Sequence, residues 1–240
     1  MDTQIRIRPY DDEISVLHDN ELNDNTGTKS VLVPHIFSGP EEIVYASPLQ
    51  GGFQVALAYG GKVYGKKVTI FTLRHSRPHP NVQRCMALGA TVIQGRSTFL
   101  RQVEREAREY CKPSAKLITF GANHEEYVDI LQARAAEVLR EYEALKGGLP
   151  NEIWVSVGSG TLIKSIQRAA PSIKINGVQV GRPFEKDPAW TNMTILPYPK
   201  EFSWESKYKM PFPSNPNYDR KAFELCVKHH KGNVLFWNVM

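Results

Sequence analysis

The sequence has no apolar run approaching the roughly 18 to 20 residues that cross a bilayer, and its start, Met1 to Arg6, lacks the apolar core of a signal peptide. A cytoplasmic address is the expectation. Cysteine is scarce as well. Cys85, Cys111 and Cys226 are odd in number, widely spaced and in no Cys-x-x-Cys pair, so neither a disulfide framework nor a zinc site is signalled. Internal repeats and low-complexity tracts are absent too. Hydrophobic residues at 41 % and charged residues at 23 % of the 240 fit a folded globular chain and exclude a disordered or collagen-like one. At roughly 150 residues per domain the chain is one large domain or two small lobes sharing a cleft.

Signatures of several catalytic classes are missing. His124-Glu125-Glu126 lacks the second histidine of a zinc helix. His229-His230 falls near a helix end, where histidine complements the dipole, and no metal site is expected.

What is present begins with charge. Thirty Lys and Arg against twenty-five Asp and Glu give +5, yet the segment from Lys66 to Lys116 alone holds eleven basic residues and three acids. Arg101, Glu104, Arg105, Arg108 and Glu109 have the spacing of a solvated, ion-paired helix face. The alternative is a phosphate-tracking surface centred on Arg74, His75, Arg77 and His79.

Short β-branched runs alternate with helical periodicity. Strands are expected at 43–46, 68–73, 91–93, 117–120, 153–157, 173–180 and 234–237. Helices are expected at 52–63, 81–88, 98–110, 125–146, 161–169 and 219–230. In the longest helix, Tyr127, Leu131, Ala135, Val138, Tyr142 and Leu145 line one face, and Gly147-Gly148 before Pro150 ends it. This alternation predicts an α/β fold of open, mainly parallel sheets with helices on both faces. Residues 1–30 are polar and rich in Asp and Asn, and seven prolines lie in 181–218. Neither stretch supports long helices, and the second is expected to be an extended excursion or a lid.

The strongest local motif is Ile153-Trp154-Val155-Ser156-Val157-Gly158-Ser159-Gly160-Thr161, an apolar strand entering a small-residue turn and then a helix. Amides at a helix N-terminus point at an anion, and absent side chains let a phosphate approach. The motif fits neither the dinucleotide fingerprint nor the P-loop, and Ser159 lacks nucleophile-elbow spacing. It reads as a phosphate cup or as a tight strand-to-helix turn. A second glycine-bearing junction runs from Val44 to Ala58 through Ser47-Pro48-Leu49-Gln50-Gly51-Gly52.

Further motifs fall in a definite order. Asp19-Asn20-Glu21-Leu22 precedes Thr26-Gly27-Thr28-Lys29; the Ser47 to Gly52 loop follows, with Gln50 where asparagine is usual; then come Gly65 to Phe71, Met86 to Val92, the Gly158 to Thr161 cup and Val234-Leu235-Phe236-Trp237. In this order the chain, from about Asp19 onward, resembles the tryptophan-synthase-β-like, fold-type II pyridoxal phosphate enzymes. Its likeness is nearest to their aminocyclopropane-carboxylate deaminase and D-cysteine desulfhydrase branch.

The resemblance implies a pyridoxal 5'-phosphate cofactor and two lobes around its cleft, with 1–44 and 121–240 forming the larger lobe and 45–120 the smaller. It implies Lys29 as the catalytic lysine that bonds the cofactor. Ser47, Gln50, Gly51 and Gly52 would embrace the ring, and Gly158, Ser159, Gly160 and Thr161 would hold the phosphate. Asn238 either contacts the pyridine nitrogen or is a surface residue near the C-terminus. Tyr45, Tyr59 and Tyr64 are general-acid candidates or core aromatics. Compact relatives in bacteriophages hypermodify thymine in DNA. The short chain and the basic segment lean toward such an enzyme, a lyase decarboxylating a glycine- or serine-derived substituent on modified thymidine. The product would be an aminoethyl-type base that evades host restriction, made in the host cytoplasm, with Arg74 and Arg77 touching the DNA. The alternatives are a deaminase or lyase acting on a free small amino acid, and a non-catalytic binding protein. A homodimer is compatible with each.

Overall fold

The structure is a computed structural model and describes residues 1–181 and 183–240. The chain divides into two compact units, Met1–Asp2 with Lys29–Ala122, and Thr3–Thr28 with Asn123–Met240. Residues 29–44 thus cluster with the smaller unit, whereas the sequence reading placed them in the larger lobe.

The chain opens with β1 (Ile7–Pro9) and β2 (Ile14–His18), followed by α1 (Leu22–Asn25). These two strands pair antiparallel within the stretch expected to be irregular. Every residue of β2 is buried, so a run of only five residues in polar surroundings carries little periodic signal. The four-residue α1 is no ordinary helix. Asn23, Asp24 and Asn25 have φ of 49°, 61° and 57°, a left-handed turn that Asn and Asp tolerate better than other side chains. The Asp/Asn richness of this stretch therefore has a conformational cause.

The smaller unit continues with α2 (Val33–Ile36), β3 (Glu42–Ser47), α3 (Phe53–Tyr64), β4 (Lys67–Thr72), α4 (Pro80–Ala87), β5 (Thr91–Gln94), α5 (Leu100–Tyr110) and β6 (Ala115–Ile118). Its four strands, in order β5-β4-β3-β6, are all parallel. Val44, Ala46 and Phe71 face Val103 and Ala107 of α5. The opposite face meets α3, where a Cβ on Gly61 would lie 2.5 Å from Val68 Cγ2. Helices therefore cover both faces. A Cβ on Gly60 would lie 2.6 Å from both Val33 Cγ1 and Phe37 Cε2. That close fit of the α2 region on α3 explains why residues 29–44 join this unit.

The larger unit adds α6 (Glu125–Lys146), β7 (Glu152–Val157), α7 (Thr161–Ala169), β8 (Lys174–Gln179), β9 (Met193–Pro197), α8 (Asp219–His229) and β10 (Val234–Asn238). Its sheet runs β1-β2-β10-β7-β8-β9, parallel except at β1. All of β7 and β10 is buried, as strands covered on two faces are. Ile14, Val16, Trp154, Val178 and Phe236 pack with Phe223 of α8. On the other face a Cβ on Gly177 would lie 2.4 Å from Ile163 Cδ1 of α7. The proline-rich excursion contains a strand after all, β9, which pairs with β8. Among the described residues no helix is long and apolar enough to cross a membrane.

Candidate active site

In an open parallel sheet, ligands bind beyond the carboxyl ends of the strands at the point where strand order reverses. Each unit has one such point. In the smaller unit β3, β4 and β5 succeed one another in one direction, and the chain then returns to place β6 on the other side of β3. The reversal lies between β3 and β6.

Lys29 is there. Its Nζ donates to the Gly121 carbonyl at 2.5 Å, just beyond β6, and lies 5.4 Å from the Phe53 ring centroid. The Gly121 amide in turn donates to Tyr45 Oη of β3 at 3.3 Å, and Tyr45 meets Phe53 edge-on. Although Lys29 is only partly buried as a residue, the protein packed around its amine pushes the pKa down to about 7, because desolvation penalises the charged form. Near neutral pH a large share of this amine is the neutral nucleophile. Of the three tyrosines considered, Tyr45 joins this cluster, whereas Tyr64 stacks on Phe37.

The loop after β3 is held from within. Gln54 Nε2 lies 2.8, 3.0 and 3.2 Å from the carbonyls of Gly51, Leu49 and Pro48. Asn81 Nδ2 donates to Gln50 O at 3.0 Å, and Ser47 Oγ donates to Pro48 O at 3.0 Å. A Cβ on Gly51 would sit 2.6 Å from Ser47 Oγ, so glycine lets the loop close. Gln54 and Asn81 were not singled out from sequence. A glutamine two residues after Gly51-Gly52, at the start of an otherwise apolar helical run, was the available signal for the former.

In the larger unit β7, β8 and β9 run one way and β10 lies on the other side of β7. The turn Gly158 to Thr161 leaves β7 at this reversal, and Asn238 ends β10 beside it. Gly160, at φ +84°, caps α7 and has no side chain with which to bond the first amides of that helix, and a helix N-terminus of this kind is where an anion is favoured. Ser159 Oγ and Thr161 Oγ1 are 3.2 Å apart. A Cβ on Gly158 would lie 2.9 Å from Tyr218 Oη, and one on Gly160 would lie 2.2 Å from Phe184 Cδ2. A side chain at either position would have to displace the neighbouring ring.

Asn238 is fully buried, which removes the alternative of a surface residue. Its Nδ2 donates to Asn20 Oδ1 at 2.8 Å and to Pro213 O at 2.9 Å, while Oδ1 accepts no hydrogen bond among the described residues. A buried acceptor without a donor is costly unless a ligand meets it. Asp219, overlooked in the sequence except as a helix start, accepts from Ser156 Oγ and, at 2.7 Å, from the Met240 amide. Burial pushes its pKa up to about 7. Asp19 pairs with Arg134 at 2.6 Å, both buried, and its other oxygen accepts from Trp237 Nε1 at 3.0 Å.

Arg74 and Arg77 are exposed, on the loop after β4. On α5, Arg105 pairs with Glu109 at 3.6 Å, the solvated helix face anticipated there. Cys85 is buried and its thiol is pushed up to about 12, which makes it unreactive.

No protein-family model matches the chain, and no curated protein does. Among solved structures, a crystal structure of an ACC deaminase homologue matches 94 % of this chain and 83 % of its own, with a TM-score of 0.79 and 12 % sequence identity. The chain thus has the α/β fold of that homologue.

Proposed function

We propose that this chain is a pyridoxal phosphate-dependent enzyme acting at the α-carbon of an amino-acid group. The observation that carries the reading is Lys29, a lysine of depressed pKa held by a carbonyl at the strand-order reversal of its sheet. The residues present suit such a cofactor. Lys29 offers a neutral amine for its aldehyde, and the loop of Ser47, Gln50, Gly51 and Gly52 is the candidate for its ring. Gly158, Ser159, Gly160 and Thr161 form the turn into a helix N-terminus that would take its phosphate, and Asn238 Oδ1 is a buried acceptor for its ring nitrogen. When bound, the cofactor supplies a π-system that takes up the electron pair released at the α-carbon. The Gly121 carbonyl orients the Lys29 amine, and Lys29 is also the group able to hold or return a proton there.

Two substrates fit. The favoured one is a glycine- or serine-derived substituent on modified thymidine in phage DNA, which the enzyme would decarboxylate; the exposed Arg74 and Arg77 support it. The second is a free small amino acid, deaminated or cleaved, and the neighbouring ACC deaminase homologue supports it.

Absorbance is the test. Protein mixed with pyridoxal phosphate is expected to gain a visible band that Lys29→Ala abolishes, and a protein that stays colourless overturns the reading in favour of a binding role. Loss of carbon dioxide from a thymidine derivative in DNA, read by nuclease digestion and mass analysis, selects the first substrate. Ammonia released from free amino acids, with DNA unchanged, selects the second.

A further inference from the structure

Within the smaller unit, the carboxyl edge of the sheet carries more than the Lys29 cluster. The loops after β4 and β5 emerge at this edge and are clamped together. The Arg74 amide donates to Ser97 O at 2.8 Å, the Gly95 amide to Thr72 O at 2.8 Å, and Gln94 Nε2 to His75 O at 2.8 Å. Gly95 is needed for this, since a Cβ there would lie 2.8 Å from Val103 Cγ2 and 3.0 Å from Thr72 O. The clamp joins the loop that carries Arg74 and Arg77 to the loop that carries Arg96 and Phe99.

Charge and exposure at this ledge are unusual. Arg74 and Arg77 have no carboxylate partner among the described residues. Arg96 has one, with its Nε 3.5 Å from Glu106 Oε1, yet its side chain remains 83 % exposed. Phe99 stands at the start of α5 with 70 % of its surface in solvent. An isolated exposed aromatic is unremarkable. One carried on the same pair of joined loops as three arginines has the composition of a surface that stacks bases and follows phosphates.

We propose that this ledge seats a single-stranded nucleic-acid segment, with Phe99 beneath a base and Arg74, Arg77 and Arg96 on the neighbouring phosphates. A duplex keeps its bases stacked and gives Phe99 no partner, whereas an unpaired strand offers one. Distance fits this occupant. With strands about 4.8 Å apart, β4 and β5 lie about 10 and 14 Å across the edge from β6 and the carbonyl that holds Lys29. A free small amino acid at Lys29 does not extend that far, while the nucleotides flanking a modified base do. The proposal deepens the nucleic-acid form of the function given above and rests on that form for its purpose.

The test is fluorescence polarisation of the purified protein with a labelled mixed-sequence single strand, with the matching duplex, and with polyglutamate as competitor. The single strand is expected to bind more tightly than the duplex, with polyglutamate competing weakly. Arg74→Ala and Arg77→Ala should each reduce the log–log salt slope by about 0.7. Phe99→Ala should weaken single-strand binding about tenfold, which is about 1.4 kcal/mol. Arg108→Ala removes the same charge from the last turn of α5, at the opposite edge, where Tyr110 Oη meets Lys67 of β4. It should leave binding unchanged. Equal losses in Arg77→Ala and Arg108→Ala, a preference for duplex, or equal competition by polyglutamate would overturn the proposal. Visible colour with pyridoxal phosphate but no oligonucleotide binding defeats this inference alone. Oligonucleotide binding by a protein that never colours defeats the cofactor reading and leaves the ledge standing.

Discussion

Lys29 Nζ donates to the carbonyl of Gly121 at 2.5 Å, and Gly121 and Ala122 hold φ of +69° and +55°. Two successive left-handed residues turn the chain sharply after β6, and alanine adopts that conformation only under the constraint of its surroundings. The acceptor for the amine is thus fixed by backbone, which no side-chain rotation can withdraw.

The amine itself is open to chemical titration. Acylation of Lys29, followed by peptide mass spectrometry across a pH series, is expected to rise with a midpoint near 7, against about 10.5 for an ordinary lysine. A midpoint above 9 would show that the surroundings do not desolvate it.

Stability should depend on pH through two groups with opposite signs. Asp219 is raised from 3.8 to about 7, so the folded state binds its proton more tightly, and this contribution is lost as pH rises from about 4 to 7. Lys29 is lowered from 10.5 to about 7, so the unfolded state holds that proton more tightly, and stability from this source grows between pH 7 and 10.5. Urea midpoints should show Asp219→Asn flattening the acid limb and Lys29→Met flattening the alkaline one.

The Gly158 to Thr161 turn has two separable requirements. Gly160→Ala should cost about 1–2 kcal/mol for the left-handed backbone and more for displacing Phe184, whose ring fills the Cβ position. Adding Phe184→Ala should relieve the second cost and leave the first. Full recovery in the double variant would mean that backbone conformation contributes nothing.

Asp19 and Arg134 form an ion pair with both side chains buried. Arg134→Met is expected to destabilise the fold by about 3–5 kcal/mol, because Asp19 is left charged and buried. The combination with Asp19→Asn should cost less than the two single changes added together. Strict additivity in denaturant melts would count against coupling.

Long elements with strong periodicity were legible in the sequence. The helices at Glu125–Lys146 and Thr161–Ala169 match expectation in both bounds, since a glycine caps one end of each, Gly147 and Gly160, and their apolar faces are continuous. Strands β1, β2 and β9 were not legible. They are short, and the surrounding polar or proline-rich residues hide the alternation. The difference matters most at the site. The two glycine turns are visible as local motifs and Lys29 only through the order of motifs along the chain, but Asp219, Gln54 and Asn81 act through partners that only the fold supplies. Asn238 shows the same limit, because burial at the end of β10 follows from the strands on either side of it.

The left-handed turn at Asn23, Asp24 and Asn25 bears on how this chain tolerates change. Asp24 and Asn25 are exposed, and exposed positions ordinarily accept most residues. Here the backbone admits few beyond Gly, Asn and Asp. A map of permitted substitutions along the chain would show a solvent-facing island as restrictive as the buried strands, set by torsion angles rather than by packing.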